Sequence, residues 1–248
     1  MLTEERFHRI LSMLNEKKAV TVSELVALLD TSESTIRRDL NALANLGKLN
    51  KVHGGAVVID KNLTTEEKDV KTKHDLNRED KISIAKFSAS LIEKGDFVYI
   101  DAGTTTEILA EYIEEKEATY VTNGIVHAKK LIEKGCTVYI LGGELKLSTE
   151  AIIGVEAIKS LKKYNFTKAF FGSNGVSIES GFTTPDVKEA LVKEEAVNRS
   201  KTPYVLVDNS KFNKIFPITF AEINRAKIIT NKEIGENKYK NYTEVLEV

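Results

Sequence analysis

The sequence predicts an α/β chain in two parts: three short helices closed by a β-hairpin, then a longer, largely parallel α/β domain. Three observations predict it. Apolar residues recur at helical spacing in three short stretches before residue 46, and a basic stretch ending in Gly54-Gly55 follows them. From about residue 79, short apolar strands alternate with helical segments, as in a parallel sheet covered on both faces. The expected boundaries are 1–57 for the first part, 58–78 for a linker and 79–248 for the second.

In the first part, Phe7, Ile10, Leu11 and Leu14 mark an amphipathic first helix. Thr21-Val-Ser-Glu24 is a capping box that opens a second, with Val22, Leu25 and Leu28 expected to face inward. Asp30-Thr-Ser32 is a three-residue turn into a third helix, for which Ser32 is a suitable N-cap and Gly47 a suitable stop. Ile36, Leu40 and Leu43 form its buried stripe, leaving Ser34, Thr35, Arg37 and Arg38 off that face. A helix presenting hydroxyls and two adjacent guanidiniums, followed by a basic hairpin, is what a winged helix-turn-helix sets against DNA. The residues expected at DNA are Ser32, Ser34, Thr35, Arg37 and Arg38, with Lys51 and His53 from the wing.

Composition does not point to DNA. The 36 basic and 37 acidic residues leave a net charge of −1, and residues 1–60 hold eight of each sign. Residues 31–55 carry Arg37, Arg38, Lys48 and Lys51 against Glu33 and Asp39, so the basic footprint is local. A single cysteine, Cys136, can form no internal disulfide, and no apolar run is long enough to cross a bilayer; a cytoplasmic protein is expected. His8, His53, His74 and His127 share no ligand-like spacing, so neither a metal nor a cofactor is expected.

In the second part, strands are expected at Phe97–Ile100, Thr119–Val121, Thr137–Leu141, Lys168–Phe171, Tyr204–Val207 and Lys227–Thr230. Small and polar residues recur just after several of them: Asp101-Ala-Gly-Thr-Thr-Thr106, Thr122-Asn-Gly124, Gly142-Gly143, Gly172-Ser-Asn-Gly175 and Asp208-Asn-Ser-Lys211. Ligands of open parallel sheets bind beyond the carboxyl ends of the strands, so these five loops are expected to converge on one site. Gly103, Thr104, Thr105 and Thr106 open a helix whose free N–H groups suit a phosphate. Asp101, Asn123, Gly142, Gly143, Lys146, Asn174, Lys193 and Lys211 complete the expected set. For Lys193, the spacing from Glu189 favours a solvated i,i+4 pair on one helix.

Both parts resemble the DeoR family of bacterial repressors. The first does so through Glu5-Arg6, Thr35-Ile-Arg-Arg-Asp-Leu40, Leu43, Gly47-Lys-Leu49 and Val52-His-Gly-Gly-Ala56, with Lys51 where the family usually carries Arg. The second does so through Asp101–Thr106, Val121-Thr-Asn123, Leu141-Gly-Gly-Glu-Leu145, Gly154, Asn174-Gly175, Gly181-Phe-Thr-Thr-Pro-Asp186 and Ser210-Lys-Phe212, with Lys146 where Arg is frequent. The resemblance implies a repressor controlled by a sugar phosphate, with a sensor domain related in fold to ribose-5-phosphate isomerases. The N-terminal half resembles the fructose-operon type within the family, which implies fructose 1-phosphate as effector. One small winged module with a local +2 segment offers few phosphate contacts, so an even-numbered homo-oligomer on operator DNA is expected. The alternative, an isomerase fused to a DNA-binding domain, needs a base next to the substrate carbonyl. The related isomerases carry acidic residues in the loop matching 172–175, where this chain has Ser173 and Asn174. Binding without turnover is therefore expected.

Overall fold

The computed structural model describes residues 3–17, 19–46, 48–52, 54–57, 70–231 and 238–248. The chain divides into two compact units, Met1–Lys61 and Asn62–Val248.

The first unit runs α1 (Thr3–Lys17), β1 (Ala19–Thr21), α2 (Val22–Leu29), α3 (Glu33–Asn45), β2 (Asn50–Val52) and β3 (Gly55–Val57). Its core is Ile10, Leu14, Val22, Leu25, Leu29, Ile36, Leu40 and Leu43, closed by Val20, Leu49 and Ala56 from the wing. The inward residue at the end of α2 is Leu29, whereas Leu28 is 56% exposed. The helix is only two turns long, and positions 22, 25 and 29 make its single buried stripe at spacings of three and four. The capping box at Thr21 and Glu24 is formed, and Ser32 caps α3 through its Oγ and the Thr35 N–H. Gly47 lies outside the described residues, and α3 ends with Leu46 as its cap.

The wing is a three-stranded antiparallel sheet, β1-β3-β2, with one strand more than the sequence suggests. Its glycine pair serves two needs. Gly54 takes a φ of +83°, where other residues are strained, and a Cβ on Gly55 would lie 2.1 Å from the Val20 carbonyl oxygen.

The second unit continues with α4 (Val70–Asp75), α5 (Arg78–Ser90), β4 (Phe97–Ile100), α6 (Thr104–Tyr112), β5 (Thr119–Thr122), α7 (Ile125–Glu133) and β6 (Thr137–Ile140). The hairpin β7 (Glu144–Lys146) and β8 (Ala151–Ile153) leads to α8 (Val155–Leu161) and β9 (Phe166–Gly172). Then follow β10 (Gly175–Ser177), β11 (Gly181–Thr184), α9 (Val187–Asn198), β12 (Ser200–Leu206), β13 (Ile218–Ala221), β14 (Lys227–Thr230) and β15 (Val245–Glu247). Seven strands form an all-parallel sheet in the order β15-β14-β12-β9-β4-β5-β6.

Helices cover both faces of this sheet. Ile84 and Ala85 of α5, Ile108 and Leu109 of α6 and Leu131 of α7 pack with Val98, Ile100, Phe170 and Leu206. Ala157 and Leu161 of α8 and Ala190, Val192 and Ala196 of α9 pack on the other side with Tyr99, Val121, Phe171 and Val205. A small antiparallel sheet, β10-β11-β13, adds Val176, Phe182 and Phe220 to that second core. All six strands expected from the sequence are present. The hairpin β7–β8 and the strands β1, β10, β11, β13 and β15 were not expected; all but β11 and β13 are three residues long, too short to show a period. Of the expected linker, residues 58–69 lie outside the described residues, and 70–78 hold α4 and the start of α5.

Candidate functional site

A cavity of about 390 Å³ opens at the carboxyl ends of β4, β9 and β12. Such a volume lies within the range of small-molecule sites. Ala102 to Thr105 follow β4, Gly172 to Asn174 end β9, Leu206 ends β12, and Asp208, Ser210 and Lys211 follow it. Thr149 comes from the β7–β8 turn, Glu189 and Lys193 from α9, and Lys214 and Phe216 from the loop before β13. Lys73, Leu76, Asn77 and Lys81 come from α4, its connector and α5. Gly103, Thr104, Thr105, Asn174, Lys193 and Lys211, expected from the sequence, thus meet on one wall.

The loops after β5 and β6 do not reach this wall. Strand order sets β5 and β6 beyond β4, away from β9 and β12. The end of β5 is also sealed by the hairpin: Asn123 Nδ2 donates to the Ile152 carbonyl (3.3 Å) and its oxygen accepts the Ala102 N–H (2.8 Å). Asn123 therefore fixes the Asp101–Thr106 loop from behind. Gly143 packs against the Ile153 carbonyl with φ +152°, and Gly142 likewise lies outside the cavity wall. Three of the five expected loops converge.

Thr106 also turns inward. Its Oγ1 donates to the Gly103 carbonyl (2.9 Å) and lies 3.2 Å from Nε2 of the buried His127. Burial pulls the His127 pKa down to about 4, so a neutral ring braces the loop from below. Gly103 is the N-cap of α6 with an extended backbone and gives no side-chain cap. The first turn of α6, carrying Thr104 and Thr105, therefore faces the cavity with the positive end of its dipole.

The charges of the wall fall into two groups. Lys193 is buried against Asp101 and also donates to the Gly172 carbonyl (3.1 Å). The solvated pair with Glu189 does not form. Both side chains sit on the buried stripe of α9, where Lys193 reaches the end of β4 and Glu189 takes Lys146 Nζ (3.0 Å) and Thr149 Oγ1 (2.6 Å). Lys146, expected among the site residues, is also 3.0 Å from Asp186 and forms an internal bridge outside the cavity wall. Asp101 likewise stands behind the wall. Burial raises its pKa, opposed by Lys193 and the Gly172 N–H.

Lys81 belongs to the other group. It is 3% exposed and donates to the Lys73 carbonyl at the end of α4. Burial lowers its pKa to about 8, followed by Lys211, while Asp208 opposes and Lys73 and Arg78 add to the shift. Asn77, at φ 52°, turns the chain between α4 and α5 and donates to Asp208 Oδ1 (3.0 Å) and Ser210 Oγ (3.3 Å). Lys73, Asn77, Lys81, Glu189 and Lys214 were not among the expected site residues. The signal available was a lysine on an apolar stripe: Lys81, Ile84, Ala85 and Ser88 share the buried face of α5.

In the first unit, α3 exposes Arg37 and Arg38. Arg37 is engaged by Glu33 one turn earlier (2.6 Å), whereas Arg38 has its side chain in solvent. The hydroxyls of Ser32, Ser34 and Thr35 form a cluster at the start of α3, with Ser32 Oγ 2.9 Å from Ser34 Oγ and 2.8 Å from Thr35 Oγ1. Asp39 is buried and held by Arg6 at 2.7 and 3.2 Å, so it contributes little negative charge to the surface. Lys51 of β2 donates to Asn41 of α3 (2.7 Å), which ties the wing to the helix. His53 lies outside the described residues.

The two units together define a winged-helix DNA-binding regulator with a ligand-sensing α/β domain. Residues 6–62 match the DeoR-like helix-turn-helix domain and residues 76–232 the DeoR C-terminal sensor domain. A Bacillus subtilis protein described as the uncharacterised HTH-type transcriptional regulator FruR is 44% identical over 98% of this chain and 96% of its own. The lactose phosphotransferase system repressor of Staphylococcus aureus is 36% identical over the whole of both chains. Among solved structures, ribose 5-phosphate isomerase A from Methanocaldococcus jannaschii covers 55% of each chain at 15% identity, with a TM-score of 0.42. The chain belongs to the DeoR family of transcriptional regulators. It is a regulator and not an enzyme.

Proposed function

We propose that this protein represses a sugar-utilisation operon and that a phosphorylated sugar bound in the α/β cavity controls it. The observation that carries the reading is the wall itself. Five lysines (Lys73, Lys81, Lys193, Lys211 and Lys214) line it with two carboxylates, beside the first turn of α6. A phosphate takes charge-assisted hydrogen bonds from such donors. Glu189, Asn174 and Ser210 supply polar groups for sugar hydroxyls. Relatives named as the FruR regulator and as a lactose phosphotransferase system repressor support a sugar-linked role. Fructose 1-phosphate is the first ligand to test.

Operator DNA is read by α3, with Arg38 as the leading contact and Lys51 on the wing. A single winged module with a local +2 segment makes few phosphate contacts, so an even-numbered homo-oligomer acting in the cytoplasm supplies the rest. The effector acts through its difference in affinity for the DNA-competent and DNA-incompetent states, with typical couplings of about 1–3 kcal/mol. Lys73, Asn77 and Lys81 lie on the first described segment after residues 58–69, so a ligand gripping them bears on the chain that leads to the DNA-binding unit.

An operator-release assay with sugar and sugar phosphate side by side tests this reading, on wild type and on Thr105→Asp. The substitution sets a carboxylate at the start of α6. The phosphate ester is expected to release wild type and not the variant. Equal potency of the free sugar overturns the phosphate reading, and an equal response of the variant removes α6 from the site.

A further inference from the structure

We propose that Asn41 and Lys51 together read one guanine of the operator, as a pair of hydrogen-bond donors. The proposal rests on the reading of α3 as the recognition helix and names a base-selecting pair within it. Ser34, Arg38, Asn41 and Asn45 are all exposed and follow one another at spacings of four, three and four residues. At 3.6 residues per turn they form one stripe, opposite the buried Ile36, Asp39, Leu40 and Leu43. A helix lying in the major groove turns such a stripe to the base edges. Asn41 therefore stands about one turn beyond Arg38 on the face that meets DNA.

Lys51 fixes which way the Asn41 amide points. An ammonium has three donors and no acceptor, so the Asn41 atom 2.7 Å from Lys51 Nζ is the carbonyl oxygen. The Nδ2 donors are left for DNA. An asparagine with both ends available reads adenine, accepting from N6 and donating to N7. Asn41 has lost that pattern, because its oxygen faces a cation whose N–H groups would meet the N6 donor of adenine. Guanine presents two acceptors, O6 and N7, and Asn41 Nδ2 and Lys51 Nζ supply a donor for each. Thymine offers one acceptor and cytosine a donor, so guanine is the base that satisfies the pair. The charge on Lys51 strengthens its bond to the base. Both side chains are exposed, so the pair joins wing and helix at the surface and is no part of the core.

The test exposes the full-length protein to a pool of randomised duplexes, without effector, and sequences the DNA that binds. Wild type is expected to select a site with guanine at one position, favoured roughly 5- to 150-fold as for a good two-point contact. Asn41→Ala should lose the preference at that position and keep the others, including the one set by Arg38. Lys51→Met frees the Asn41 oxygen and should turn that guanine into adenine, an exchange that merely holding the wing in place would not produce. Circular dichroism melts of both variants should match wild type, since both side chains are exposed. Selection of the wild-type site by Asn41→Ala overturns the pair. So does a Lys51→Met protein that keeps guanine and binds every sequence more weakly, since Lys51 would then meet phosphate. An Arg38→Ala/Asn41→Ala variant that selects the full wild-type site overturns the reading of α3 itself, and the pair with it.

Discussion

On one side of the sensor cavity Lys193 meets Asp101 and the Gly172 carbonyl, and Lys146 meets Asp186 and Glu189. On the other side Lys81 is as deeply buried but is crowded by Lys211, Lys73 and Arg78, with Asp208 opposing them. Both sides place cations at the ends of parallel strands. The first set has its counter-charges inside the protein and stabilises the fold. The second makes the folded protein hold a cation that burial disfavours and neighbouring cations repel, a cost that a phosphate bound as proposed would relieve. The difference separates a lysine that builds the site from one that the proposed function assigns to the ligand.

The largest effect is expected from breaking the built side. Lys193→Met strands Asp101, and removing one partner of a buried pair costs about 3–5 kcal/mol. Urea unfolding monitored by circular dichroism should show the midpoint falling by that measure. Asp101→Asn together with Lys193→Met should recover much of the loss. Lys81→Met should leave stability unchanged or raise it, since a repelled, desolvated cation is removed. Its effect belongs to binding: loss of a charge-assisted hydrogen bond of about 1.5–3 kcal/mol is expected to weaken fructose 1-phosphate roughly 10- to 150-fold. Calorimetric titration of both variants measures this. Equal destabilisation by the two substitutions would erase the distinction.

Part of this was legible in the sequence. The three loops of the cavity wall were marked by glycines and hydroxyls after β4, β9 and β12. Strand order was not marked, so the glycines after β6 and Asn123 after β5 looked equivalent to them. The hairpin β7–β8 that occupies Asn123 is too short to show a period. Lys81 was hidden differently. It lies just past the linker read at 58–78, and only its place on the stripe with Ile84, Ala85 and Ser88 marks it as buried. Glu189 and Lys193 had a local explanation four residues apart, but tertiary partners separated them. In the first unit almost everything was readable, because caps, turn and stripe are all local. Leu28 failed because two turns of helix leave the choice between neighbouring leucines open.

The same contrast recurs on the recognition helix at smaller scale. Arg37 spends its guanidinium on Glu33, an exposed i,i+4 pair worth about 0.3–0.5 kcal/mol, whereas Arg38 stands in solvent. Arg38→Ala is expected to cost about 1–3 kcal/mol of operator affinity and to relax sequence preference. Arg37→Ala should weaken all DNA nearly alike and flatten the salt slope by about one. Titrations at several salt concentrations decide the matter, and a reversed pattern would give Arg37 the reading role.

The smallest effect is a pH dependence that belongs to the Lys81 side alone. A phosphate monoester is dianionic above about pH 6, and Lys81 carries its proton below about pH 8. Effector affinity should therefore be level between these values and fall on both sides. Next to a dianion Lys81 holds its proton more tightly, so above pH 8 the complex binds more protons than the free protein. Rising pH then weakens binding, by up to tenfold or about 1.4 kcal/mol per unit. Folding has the opposite sign. The Lys81 pKa is lower folded than unfolded, so the ligand-free protein gains stability as pH rises from about 8 towards 10.5. Titration of fructose 1-phosphate from pH 5.5 to 9.5 should show the alkaline fall in wild type and not in Lys81→Met, with the acid fall kept in both. An alkaline fall that survives in Lys81→Met would move the phosphate away from this lysine.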